Sequence, residues 1–219
     1  MTLNIVSLPE EIIFNIFTPL ERNELCSLRL VCHRLHSTAT QTLFSLVCLY
    51  ASDESLARYN RIIQHPSFKT YVRHVELNTL TDKKNAIHDP RLHAFMAELR
   101  TTVLAPDCTA NLRTLALYQT TFHFGFAPKL DLRGTHFPRL RTLALGRYTF
   151  THAWQLEWLG GHGGTLEEVY FDDYIVIYYA KLMGCGVDGE GYPVFESPGG
   201  GRRRWGLVGG RIIIFGFMT

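Results

Sequence analysis

The stretch "NLRTLALYQTTF" (111–122) returns 28 residues later, little changed, as "RLRTLALGRYTF" (139–150). A looser copy, "TLEEVYFDDYIV", begins at Thr165, its leading leucine 26 residues further on. "YVRHVELNTL" (71–80) precedes all three, with Val72, Val75 and Leu77 at the same spacing. Every copy is apolar at relative positions 1, 4 and 6. Positions 4 and 6 point to one side of an extended strand, and position 1 sits on the turn that enters it. The stretches between copies carry helical spacing instead. Leu56, Tyr59, Ile62 and Ile63 lie in 52–64, with Ser52 as a cap. Leu92, Phe95, Met96, Leu99 and Val103 lie in 91–103. Trp154, Trp158 and Leu159 lie in 150–161, with Thr151 as cap and Gly160 as stop. A single strand-plus-return cannot bury its own apolar face, so the units must stack.

Periods of this length with this core pattern resemble leucine-rich repeats. The resemblance is irregular. Thr120, Tyr148 and Tyr174 stand where such repeats carry Asn or Cys, and the 40 residues from Val72 to Leu112 require an insertion, placed at "TDKKNAIHDP" (81–90). The face opposite the core would display His74, Glu76 and Asn78, then Thr114, Ala116 and Tyr118, then Thr142, Ala144 and Gly146, and last Glu168, Tyr170 and Asp172. Glu76, Tyr118, Glu168, Tyr170 and Asp172 are its candidate target-binding residues. Mixed polar and aromatic groups suit a protein or peptide. The absence of a basic stripe with stacking aromatics disfavours nucleic acid.

The start of the chain poses a different problem. "SLPEEIIFNIFTPLERNELCSLRLVCHRLH" (7–36) holds more apolar surface than it can bury by itself. Ser7 and Glu10 fit a capping box for a helix from about Leu8 to Phe17, stopped at Thr18-Pro19. Leu8, Ile12, Ile13, Ile16 and Phe17 sweep roughly 180° around it, where packing on one neighbour needs a stripe of about 100°. A second helix is predicted over 23–35, with Leu25, Leu28, Val31, Cys32 and Leu35 on one side and Cys26 and Leu30 on the other. A third is predicted from Ser37 or Thr38 to Leu46. Apolar residues on two faces imply burial against something outside the module.

This segment resembles an F-box, on Leu8-Pro9-Glu10, Ile12, Ile16, Leu20, Leu25, Leu28, Val31-Cys32, Leu35 and Leu43-Phe44. The resemblance implies docking of a Skp-type adaptor and, through it, a cullin-based ubiquitin ligase. By that analogy Leu8, Pro9, Ile12, Leu25, Leu28 and Val31 would contact the adaptor. The whole succession resembles fungal F-box proteins with degenerate repeats.

Composition sets the remaining bounds. Hydrophobic residues at 46% against 19% charged describe a globular chain, and a net charge of +2 gives no long-range pull toward nucleic acid or anionic lipid. Five scattered cysteines without a CxxC pair indicate neither a disulfide framework nor a zinc ribbon. With no leader pattern at the N-terminus and no apolar run of about 18 residues, a location in the cytoplasm or nucleus is expected. Cys32, His33 and His36 have helical spacing but lack a fourth ligand. "GCGVDG" (184–189) matches GxGxxG, yet prolines and glycines follow instead of a helix. No catalytic constellation, cofactor site or metal site is expected.

From Gly184 onward, 11 of the 18 glycines crowd into 36 residues, beside "GGGRRRW" and "RIIIFGF". This tail is expected to be poorly ordered, its last apolar run a sticky strand, and the array before it cut short of a polar cap. The expected architecture is therefore an α+β or α/β solenoid. A three-helix F-box-like module (1–48) precedes an irregular repeat array (49–183) and the glycine-rich tail (184–219). The function expected from the resemblance is target recognition for a ubiquitin ligase. The alternative is a binding scaffold whose N-terminal helices only cap the solenoid, with Leu8, Ile12 and Leu25 resting on the repeats.

Overall fold

The computed structural model describes residues 5–78, 90–120, 122–177, 186–194 and 213–215. The inserted loop predicted at 81–90 lies outside these apart from Pro90, as does the "RRR" run. A single 3-10 turn (Ile5–Ser7) leads into α1 (Glu10–Phe17). Pro9, not Ser7, is its N-cap and makes no side-chain cap bond, so the predicted Ser7–Glu10 box does not start this helix. Thr18 ends it as expected, its hydroxyl donating to the Phe14 carbonyl at 2.9 Å. The capping box belongs to α2 (Arg22–Leu28) instead, where the Glu21 N–H donates to the Glu24 carboxylate.

The single helix predicted over 23–35 is broken. Arg29–Val31 turn tightly, Cys32 is extended, and α3 (His33–Ser45) absorbs the predicted third helix. The reason is tertiary. In one straight helix Leu25 and Leu35 would lie roughly 15 Å apart along the axis. The break lets both pack with Ile13, Phe17 and Ala39 in one cluster, which Leu8, Leu20, Leu28, Cys32 and Leu43 cover.

α3 passes without a linker into β1 (Leu46–Tyr50), a strand absent from the sequence expectation. Val47 and Leu49 point into the core, and Phe44 takes the entering position, stacked on Phe68 at 4.2 Å. After β1 come α4 (Asp53–Gln64), α5 (Phe68–Tyr71) and β2 (His74–Asn78). α6 (Pro90–Glu98) and α7 (Pro106–Thr109) return to β3 (Thr114–Tyr118). An irregular stretch reaches β4 (Thr142–Gly146), and β5 (Thr149–Phe150) and α8 (Ala153–Gly160) lead to β6 (Glu168–Asp172). The five long strands form one parallel sheet in the order β1-β2-β3-β4-β6.

The four predicted strands thus pair as expected, behind a fifth. Their junctions repeat: the Arg73 carbonyl accepts N–H groups from Arg113 and Thr114, Arg113 those from Arg141 and Thr142, and Arg141 those from Glu167 and Glu168. Val72, Leu112 and Leu140, at position 1, are fully buried with Leu115, Leu117, Leu143 and Leu145 in one continuous core. The helical returns pack on that same core, Tyr59 of α4 donating to the Val103 carbonyl at 2.9 Å. Ser52 caps α4 as predicted, whereas α8 is capped by His152 rather than Thr151. Trp154 and Trp158 pack against the core, and the Trp158 indole donates to Thr135.

Where an amide ladder would run, Tyr148 is buried, its ring edge-on to Phe124 and Phe150 and its hydroxyl accepting from Gln155. β7 (Tyr174–Val176) lies between β5 and a strand at Ile213–Phe215. Within the glycine-rich segment, residues 186–194 form a hairpin of β8 (Gly186–Val187) and β9 (Pro193–Val194). Tyr192 anchors this hairpin on Phe126 and Ala127. Lys129 and Arg133 bond Glu190 and hold its carboxyl down to about 2.

His162, 2% exposed, joins the return before β6 to the rest of the core. Its Nε2 accepts the Phe137 N–H at 3.1 Å, and its Nδ1–H donates to the Trp158 carbonyl at 2.9 Å. Burial depresses its pKa below the usual 6.5; the Trp158 carbonyl opposes this and His136 adds to it. The unfolded chain therefore binds a proton that the folded chain resists. Stability is complete above about pH 6.5 and falls as the pH drops through the folded value. Denaturant midpoints taken from pH 7.5 to pH 5 should show a loss that His162→Gln reduces. Identical pH profiles for the two proteins would contradict this role.

Candidate functional site

Around α1, successive residues turn by about 100°, so Ile13 and Phe17 form one stripe and Pro9, Ile12 and Ile16 the neighbouring one. The first stripe is buried in the helical cluster. The second faces out, with Ile12 45% and Ile16 41% exposed. The turn between α2 and α3 adds Leu30 and Val31, 88% and 65% exposed. Arg34, three residues beyond Val31, donates to the carbonyls of Val6 and Leu8. The exposed turn therefore lies at the same end of the module as the start of α1.

Of the six residues predicted to meet an adaptor, Pro9, Ile12 and Val31 are exposed, and Leu8 and Leu28 are half-buried against the cluster. Leu25 is a correction: at 5% exposure it is core, filling the space between the helices. Ile16 and Leu30 also belong to the exposed apolar surface. Ile16 follows Ile12 at helical spacing, whereas Leu30 is exposed because α2 ends at Leu28. Leu8 and Leu25 sit in the helical cluster and Ile12 is exposed, so none of the three belongs to the core under the sheet.

The parallel register sorts the predicted face of the sheet into three rows. Leu46, His74, Thr114, Thr142 and Glu168 form the first, and Cys48, Glu76, Ala116, Ala144 and Tyr170 the second. Tyr50, Asn78, Tyr118, Gly146 and Asp172 form the third. All five predicted target-binding residues lie on these rows, but they do not form one pocket. Glu76 and Tyr170 are separated by three strand spacings, roughly 14 Å. Tyr118 lies across Gly146, where any Cβ would strike its ring, and its hydroxyl donates to Asp172. That carboxylate raises the Tyr118 pKa and fixes both groups. Thr142 donates to Glu168 at 3.2 Å and Cys48 to Glu76 at 3.6 Å. Tyr170, 55% exposed, is the least engaged aromatic of the face.

Residues 5–50 match the F-box-like family. They form an F-box-like domain. No curated protein matches the chain. The domain ends at residue 50, so β1 belongs both to it and to the sheet. The helices of the F-box-like domain therefore run into the sheet through a continuous α3–β1 segment.

Cys32 stands at the N-terminal boundary of α3 without a side-chain cap bond and packs on the helical cluster, while His33 and His36 are exposed. Among the described residues no group of three or more His, Cys, Asp or Glu is placed to hold a metal ion. Among them, too, no helix is long and apolar enough to cross a membrane. The described residues of the glycine pattern, 186–189, begin the hairpin rather than opening a helix.

Proposed function

We propose that this chain is a target-recognition subunit of a cullin-based ubiquitin ligase, its F-box-like domain docking a Skp-type adaptor and its sheet region holding a protein target. The observation that carries the reading is the exposed stripe Pro9-Ile12-Ile16, with Leu30 and Val31 exposed at the end of the module where α1 starts, on a module whose core is already filled without them. The sheet region acts as an irregular leucine-rich-like solenoid. In favour of this are five parallel strands in sequential order and one junction geometry repeated three times. The face of the sheet bearing Glu76, Glu168 and Tyr170 is the target surface, with Tyr118 and Asp172 as a fixed pair at its rim. The chain supplies no catalysis of its own, and it works in the cytoplasm or nucleus, where adaptor and cullin are found.

Co-expression with a Skp-type adaptor and a cullin should give a ternary assembly that elutes as one species. Depleting the adaptor should then raise the level of proteins that co-purify with residues 46–177. Unchanged levels, with the assembly intact, would make the chain a binding scaffold rather than a degradation receptor.

A further inference from the structure

We propose that the cleft between the F-box-like domain and the free edge of β1 binds an extended acidic peptide segment. β1 is the end strand of the sheet, and its outer edge is unpaired among the described residues. The cleft measures about 810 Å³ and is lined by all of Leu46–Tyr50. Residues from both faces of the strand border it, and Arg73, His74, Glu76, Arg113 and Thr114 carry it on across the entering ends of β2 and β3. The Tyr50 N–H is occupied by the Ser55 hydroxyl, which leaves the edge from Leu46 to Leu49 for a ligand backbone. Phe14, Leu20 and Phe44 supply apolar walls that would take alternate side chains.

Charge identifies the occupant. Arg22, Arg58, Arg73 and Arg113 all line this cleft, and no guanidinium among the four forms an ion pair or hydrogen bond with a described residue. Against them stands one acidic side chain of the lining, Glu76, already an acceptor for Cys48. His74, beside Arg73 and Arg113, is kept toward its neutral form by burial and by those two charges, so it neutralises none of the arginines. Glu10 and Glu11 border the adjoining hollow with Arg73 without pairing with it. A strand edge asks for an extended backbone, and four unpaired guanidiniums ask for carboxylates. This goes beyond adaptor docking: Phe14 and Thr18 of α1 line the cleft, roughly 180° from Ile12 and Ile16 around the helix. Both surfaces can be occupied together.

The test uses the full chain and a fluorescein-labelled octapeptide of alternating valine and glutamate, read by anisotropy. Saturable binding is expected, weakening as salt rises. A valine–lysine octapeptide should not bind. Arg58→Glu/Arg113→Glu, both on exposed side chains, should weaken binding about tenfold or more with the melting temperature unchanged. N-methylation of alternate peptide amides should weaken it as well, because the strand edge would lose its partners. No saturation up to roughly 1 mM would overturn the proposal. So would indifference to the arginine reversals or to N-methylation. Equal binding of an oligothymidine, lost on the same reversals, would replace it with a general polyanion site.

Discussion

Gln155→Leu should destabilise the sheet region by about 4 kcal/mol, although it exchanges one buried side chain for another of similar volume. Gln155 is 2% exposed, and its amide donates twice and accepts twice. Its Nε2 donates to the Tyr148 hydroxyl at 2.8 Å and to the Thr149 carbonyl at 3.1 Å. Its Oε1 accepts the N–H groups of Thr151 at 2.6 Å and His152 at 2.9 Å. Leucine would leave all four without that partner. The Tyr148 hydroxyl and the Thr149 carbonyl lie deepest, and each orphaned group costs about 1–3 kcal/mol. Gln155→Glu loses both donors and sets a buried carboxylate against the Thr149 carbonyl, so it should be no milder than leucine. Leu156→Ala, on the exposed neighbour, should change stability by less than about 0.5 kcal/mol. Urea unfolding followed by tryptophan fluorescence, with Trp154 and Trp158 in the same helix, gives the comparison directly. Equal midpoints for Gln155→Leu and Leu156→Ala would show that this amide does not join β5 to α8.

How far the sequence discloses this molecule depends on whether a feature is local. Strands β2, β3, β4 and β6 are legible because each carries its own apolar 1-4-6 pattern and its own entering turn. β1 carries the same pattern in Phe44, Val47 and Leu49, but there it follows directly on a helix whose apolar stripe leads into it. The break between α2 and α3 has no local signal: no glycine or proline stands between Asn23 and Leu35. Only the need to bring Leu25 and Leu35 onto Ile13 and Phe17 produces it. That non-local cause also explains the corrected site. On one continuous helix Leu25 and Val31 share a face; on the folded-back pair, Leu25 turns inward and Val31 outward. The hairpin at 186–194 was hidden for a different reason. Its order comes from Tyr192 against Phe126 and from Glu190 between Lys129 and Arg133, partners some sixty residues earlier in the chain. The open cleft beside β1 was equally illegible, because its arginines come from α2, α4 and the entries to β2 and β3.

The second large effect concerns the exposed stripe of α1. Ile12→Asp/Ile16→Asp should leave the helical cluster intact, since both side chains already face water. In a docked complex the same change would bury carboxylates without partners, a penalty of several kcal/mol and a weakening of about 100-fold or more. Ile13→Asp, one residue away and fully buried, should instead unfold the module. The contrast between Ile12 and Ile13 separates a docking surface from a core, and the helix turn predicts which is which. The decisive measurement is therefore co-purification with a Skp-type adaptor, wild type beside Ile12→Asp/Ile16→Asp, with circular dichroism on both. A complex with the wild type, and none with a variant that melts at the same temperature, is the predicted result. A wild type that never holds the adaptor, or a folded variant that holds it equally well, would contradict the account.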